Sequence, residues 1–317
     1  MSFKLTQDDL KKSATTYKKQ LLVTPIISCE ETLQHMTSRP GVAGREIVSE
    51  LGGNIELGPY DPNRVDNDGV NANARTLETF LGSVVKRFDV NTAATTVWGE
   101  LVAQGKQLTT ADLALQVLTF LSGLLGKKLN EAIWAAKRND SGTTTKDLFN
   151  GFDTITKQEI DNSNISTSNG NLCEFAQPIT KTNAVDILMD FYDAAAEELQ
   201  GVKTKLYVPF KVYQAYNRDY ATRFGGTPYN KEYSKTFLEG TQNLCELVPL
   251  VSKKGSDYLH LTTKSNMLYG YGAGLAKENI AIEKYHEFLL SYVATMFFGT
   301  EFESIQKERL FVGKLHA

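Results

Sequence analysis

The chain has 317 residues, 41% hydrophobic and 22% charged, with a formal net charge of −3 and a pI near 5.9. That is enough apolar content for a real core in one large or two ordinary domains, and it argues against a dedicated nucleic-acid binder, which would be basic. Cys29, Cys173 and Cys245 are scattered without CxxC spacing, and His35, His260, His286 and His316 stand far apart, so neither a disulfide framework nor a spaced metal site is encoded. No run of about 18 apolar residues marks a membrane span, and the polar N-terminus carries no hydrophobic signal core.

Residues 1–40 read as an arm. Leu5 to Gln20 suit a short amphipathic helix. LLVTPIIS (Leu21–Ser28) is apolar, β-branched and interrupted by Pro25, which predicts an extended or edge segment. Cys29 onward suits another short helix, stopped by Pro40 and Gly41. Residues 41–91 are the least globular part. Gly44 to Gly58 suggests a strand pair interrupted at Gly52 and Gly53. Pro59 to Arg75 is rich in Asn and Asp with almost no apolar side chains, and cannot cover a core. Ala74 to Val90 then alternates. The whole predicts a long β-hairpin-like excursion with a polar tip, and a loop of this kind is uncommon unless it serves an interaction.

Thr109 to Arg138 is the longest helix signal. Leu113, Val117, Leu118, Leu121, Leu124, Leu125, Leu129, Ala132, Ile133 and Ala136 recur with helical period, Asp112 sits in the first turn, and Lys137 and Arg138 in the last. Its expected length is about 40 Å. Gly123 and Gly126 inside it would permit a bend or close packing. Residues 139–149 form a turn-rich link, and 151–172 read as a polar loop. Residues 183–200 give a second amphipathic helix capped by Asn183. Lys205–Pro209 is a strand, Phe210–Phe224 a helix, and Leu244–Val251 and Tyr258–Thr263 strands, so the alternation over 183–263 argues for a mixed domain. The last third is β-rich: a strand at Ile280–Lys284, a long one from Phe288 to Phe298, and a closing one at Glu308–Leu315.

No catalytic constellation emerges. Gly270, Gly272 and Gly274 have G-x-G-x-G spacing and are followed by a strand pattern, so they lack the dinucleotide fingerprint. Glu197 and Glu198 are adjacent and would point about 100° apart on a helix, which suits a solvated face. His260 lies in a strand pattern. The aromatic set Tyr207, Phe210, Tyr213, Tyr216, Tyr220 and Phe224 follows helical spacing in its later members, as a core does.

The order of these elements resembles the HK97-type major capsid protein of tailed bacteriophages. KLYVPFKVYQAY is similar to the strand and helix of that family's axial domain, and LCELVPLV to the strand that crosses it. LTTKSNMLYGYGAGLAKENIAIEKY resembles the segment that leaves the axial domain through an N-x-x-x-G turn (Asn266–Gly270). EFLLSYVATMFFGTEF and ERLFVGKL look like strands of the peripheral domain, and KDLFNGFDTI like the start of the axial domain. Each motif is loose; the order of all of them carries the resemblance, which spans most of the chain.

The resemblance implies an α+β fold with an N-terminal arm (1–40), an extended loop (41–91), a peripheral domain (92–149 and 276–317) with spine helix 109–138, and an axial domain (150–275). It implies a structural protein with no enzymatic role and no cofactor, which self-assembles into pentamers and hexamers of an icosahedral shell around double-stranded DNA. The implied partners are further copies of the chain, scaffolding, portal and decoration proteins, and DNA held non-specifically. The location would be the virion, assembled in the bacterial host cytoplasm. An encapsulin-like compartment shell and a nucleotide-binding enzyme are the alternatives. Arg39, Arg45, Glu46, Arg64, Asp66, Asp68, Arg75, Lys86 and Arg87 are the candidate inter-subunit contacts, because charges on arms suit polar pairing between copies.

Overall fold

A computed structural model of the chain describes residues 7–52, 60, 71–89, 110–224, 236–273, 280–286 and 289–316. They fall into two compact units. One comprises Met1–Gly44, Thr79–Thr154 and Tyr269–Thr300, the other Arg45–Glu78, Ile155–Leu268 and Glu301–Ala317.

The first unit begins with helices α1 (Gln7–Thr16), α2 (Lys18–Ile27) and α3 (Glu30–Leu33), then strand β1 (Thr37–Pro40). The segment expected to be extended is thus helical, with Pro25 inside α2. Packing overrides the proline here, because Leu21 and Ile26 are buried and Pro25 lies against the long helix. That helix, α4, spans Thr110–Ala135. It ends before Lys137, whose amide donates to Lys146 O (2.8 Å), so the turn around 145–147 takes over from the helical ladder. Arg138 leaves the helix altogether: Nη1 donates to Leu148 O (2.9 Å), and the guanidinium lies 4.2 Å over the Phe80 ring. Leu124, expected on the buried face, is 43% exposed.

The sheet of this unit runs β1-β9-β11-β10, with β4 also on β11, where β4 is Phe80–Asp89, β9 Met267–Ala273, β10 Ile280–Lys284 and β11 Leu289–Phe302. β4 and β11 are antiparallel from Phe80↔Phe298 to Asp89↔Leu289. The period of two sends Leu290, Tyr292 and Ala294 inward onto Val117 and Leu118 of α4 and Leu10 and Ala14 of α1. The buried Tyr292 hydroxyl is satisfied by Ser122 Oγ at 2.9 Å.

The second unit has a five-stranded sheet in the order β5-β12-β8-β6-β7: β5 Leu172–Glu174, β6 Thr204–Pro209, β7 Cys245–Leu250, β8 Tyr258–Thr262 and β12 Leu310–Lys314. The closing strand β12 therefore sits between β5 and β8 and is not a partner of β11, contrary to the expected grouping of 276–317. Its Leu310, Phe311 and Val312 are buried on both faces, a pattern that only a central strand satisfies.

Helices α6 (Ala184–Asp193) and α8 (Phe210–Phe224) cover one sheet face, placing Val185, Leu188, Phe191, Val212 and Tyr216 on Leu206, Val208, Leu259 and Leu261. The single helix expected over 183–200 is broken into α6 and α7 (Glu197–Gln200), because the Gln200 side-chain amide donates to the carbonyls of Tyr192, Asp193 and Ala195 and so ends α6. Residues 152–161, expected as loop, form helix α5 (Phe152–Asp161). Its buried Phe152, Ile155 and Thr156 follow helical spacing, but two apolar residues among polar ones leave a weak signal.

Two strands of the second unit stand outside this sheet: β2 (Arg45–Gly52) and β3 (Asn71–Glu78) pair antiparallel from Arg45↔Glu78 to Gly52↔Asn71. This pair lies within the excursion expected over 41–91, but the return strand is 71–78, and β4, expected to continue it, pairs with β11 in the other sheet.

Candidate functional site

Chemistry is poorly provided for. Among the described residues no group of three or more His, Cys, Asp or Glu could hold a metal ion. Cys29 and Cys245 are buried and their thiols are pushed up to about 12 by desolvation, so neither is a nucleophile at neutral pH. Cys29 Sγ instead donates to the Gly126 carbonyl (2.9 Å). Glu197 and Glu198 are exposed. Tyr207 and Tyr216 are fully buried in the core and Tyr213 and Tyr220 are half-buried against it, whereas Phe210 is exposed and the Phe224 side chain lies outside the described residues. Gly270 and Gly272 lie inside β9, without the strand-to-helix turn a phosphate loop needs; Gly274 lies outside the described residues.

His260 is the most unusual titratable group. It is fully buried, Nε2 is 2.8 Å from Thr156 Oγ1, Nδ1 is 3.1 Å from Lys253 Nζ, and the ring stacks on Phe302 with centroids 5.8 Å apart. Desolvation, then the Lys253 charge, holds its pKa well below the usual histidine range. A neutral imidazole between a hydroxyl and an ammonium is a structural cross-brace of the sheet's second face. Nearby, Asn266 organises the turn before β9: Nδ2 donates to Thr262 Oγ1 and Ser304 O (both 2.9 Å), and Oδ1 accepts from the Ser304 amide (2.7 Å).

The charged positions read from the sequence separate clearly. Arg64, Asp66 and Asp68 lie outside the described residues. Arg39 is half-buried on β1, and its Nε is buried with no hydrogen-bond partner among the described residues. Arg45, at the root of the hairpin, is exposed and pairs with Glu78 at 2.7 Å, while Glu46 is half-buried. Lys86 and Arg87 are exposed on β4, and Arg87 lies 3.7 Å over the Tyr285 ring. β4 pairs with β11 on one side, no described strand pairs its other side, and it also exposes Leu81 and Val85.

Arg75 behaves differently. Its guanidinium is largely buried and bound within the chain, to Glu159 and Glu301 at 2.8 Å each, which removes it from a free charged surface. Sequence reading missed both carboxylates, and no local pattern could have found them, since they lie 84 and 226 positions from Arg75.

No family model matches the chain, and no curated protein matches it. Solved structures do. The chain is similar to one in the satellite phage P4 procapsid, with 11% identity, 94% of this chain and 98% of that chain covered, and a TM-score of 0.56. It is similar to one in the capsid of the native GTA particle, with 11% identity, 91% of each chain and a TM-score of 0.57. A chain of the cyanophage A-1(L) capsid gives 12% identity, 92% of each chain and 0.54. At such identities the likeness establishes fold, and the fold is α+β and HK97-like.

Proposed function

We propose that the chain is a major capsid protein that builds an icosahedral shell of many copies. The observation that carries this reading is a likeness that spans more than nine-tenths of both partners in each capsid comparison, so whole subunits match and not a shared motif. The first unit acts as the peripheral domain with α4 as its spine. The second unit acts as the axial domain, carrying the β2–β3 hairpin as the extended loop. The role is structural and not enzymatic.

Arg39, Arg45, Glu46, Lys86 and Arg87, together with Arg64, Asp66 and Asp68 of the segment that joins β2 to β3 in sequence, pair with neighbouring copies. A shell multiplies many modest contacts between copies, each of which can be polar. Scaffolding, portal and decoration proteins and packaged double-stranded DNA complete the particle, assembled in the bacterial host cytoplasm and carried in the virion.

Light scattering and negative-stain microscopy of the purified chain test this. Closed shells, empty or holding DNA, are expected. Shells filled with a single protein would indicate a compartment instead, and a monomer or dimer under all salt and concentration conditions would refute assembly. Deleting residues 59–73 is expected to leave a folded monomer that fails to assemble; normal particles from that deletion would refute the role of the hairpin.

A further inference from the structure

Among the described residues, the hairpin's apolar anchor is a cluster of Val48 and Leu77 with Leu268, and the neighbouring Ile47 is 73% exposed. The hairpin's polar anchor is Arg75, opposite Val48 on β3. Nη2 of Arg75 donates to Glu159 Oε1 and Glu301 Oε1, both at 2.8 Å, and Nε reaches the same Glu301 oxygen at 3.3 Å. The three side chains are 15–16% exposed.

Each carboxylate is held from behind. Glu301 Oε1 accepts from the Phe302 amide at 2.9 Å, and Glu159 Oε2 accepts from Asn164 Nδ2 at 2.7 Å. The acceptors are therefore fixed by α5, the following turn and the end of β11, and the arginine is the part that belongs to the hairpin. At the root, the chain enters through Gly41 and Gly44, at φ +83° and +116°, where other residues are strained. It leaves at Thr79, whose amide donates to Gly44 O (2.6 Å) and whose Oγ1 accepts from the Gly44 amide (2.9 Å).

Two largely buried carboxylates share one guanidinium. A buried ion cluster of this kind contributes little net stability, because desolvation offsets attraction, but it fixes geometry. We propose that Arg75, Glu159 and Glu301 form a latch that sets the hairpin in one orientation on its own subunit, and that opening it frees the hairpin to turn about Gly44 and Thr79 while the β5-β12-β8-β6-β7 sheet stays folded. The latch stands on this geometry; its consequence, that an unlatched hairpin meets neighbouring copies in the wrong orientation and yields irregular shells, rests on the capsid reading.

Hydrogen exchange on the full-length, unassembled chain tests the latch. Arg75→Met is expected to speed exchange of the 45–52 and 71–78 amides by about tenfold or more while the β6 and β8 amides keep wild-type rates. Arg75→Lys, a single ammonium that cannot serve both carboxylates with a planar fork, falls between. Because Arg75→Met leaves two buried like charges, the triple replacement Arg75→Met, Glu159→Gln and Glu301→Gln keeps the shape without charge and is expected to free the hairpin in a folded subunit. Wild-type hairpin exchange in the triple variant would overturn the latch, as would equal acceleration in β6 and β8, which would make the cluster a general support of the fold. Absence of particles from the wild-type chain would overturn the capsid reading alone.

Discussion

Two glycines three residues apart on α4 are expected to respond to the same substitution with opposite signs. In an ordinary helix interior, Gly→Ala gains about 1 kcal/mol, since alanine loses less backbone freedom on folding. A Cβ at Gly123 would meet only Ser28 Oγ, at 3.6 Å, an ordinary contact. A Cβ at Gly126 would sit 2.5 Å from Pro25 O and 2.5 Å from Ser28 Cβ, with Pro25 Cα at 3.0 Å. Those are α2 backbone and near-backbone atoms, so α2 must back away by close to an ångström, and the Cys29 Sγ bond to Gly126 O is disturbed with it. Overpacking of this kind costs about 1–3 kcal/mol.

After the propensity gain is subtracted, Gly126→Ala is expected to lose up to about 2 kcal/mol and Gly123→Ala to gain up to about 1 kcal/mol. Urea unfolding of the unassembled chain, with far-ultraviolet circular dichroism as the signal, reads both midpoints. Thermal midpoints should move by about 2–4 °C per kcal/mol. A Gly126→Ala variant as stable as Gly123→Ala would refute the close approach of α2 to α4.

Acid is expected to weaken the second unit through His260. Its folded pKa lies below the usual value of 6.5, so below that pH the unfolded chain takes a proton that the folded chain refuses. Stability should then fall by up to about 1.4 kcal/mol per pH unit toward the folded pKa, and His260→Gln should flatten that slope in urea titrations from pH 7 to pH 5. Glu301 acts with the opposite sign. Burial raises its pKa above the usual carboxylate value, against the lowering effect of Arg75, so its contribution is fully present below that value and is lost as pH rises through the raised one; Glu301→Gln should remove this dependence. Tyr292→Phe leaves Ser122 Oγ buried without its partner and should cost about 1–2 kcal/mol in the same assay. Arg45→Ala breaks only an exposed pair and should change stability by less than about 1 kcal/mol; a larger loss would mean that the hairpin root is less exposed than Arg45 indicates.

Local pattern was sufficient wherever one periodicity persisted over a whole element. The long helix, β6, β7, β8, the long strand and the hairpin were all legible, because hydrophobic period and turn chemistry are written within a few residues of one another. The same local character explains the misreadings: Pro25 argues against a helix until α4 packs beside it, and α5 has too few apolar residues to announce itself. The place of β12 between β5 and β8 depends on a strand formed over a hundred residues earlier, and a strand's own residues encode that it is buried, not which neighbours bury it.

The candidate site divides in the same way. The sequence alone shows no familiar catalytic or metal-spacing motif and places a run of charged residues within 39–87. Only the tertiary structure decided that Arg75 is bound within the chain while Arg45, Lys86 and Arg87 are exposed. An arginine's partners are set by where distant chain segments meet, and Glu159 and Glu301 reach it from α5 and the end of β11.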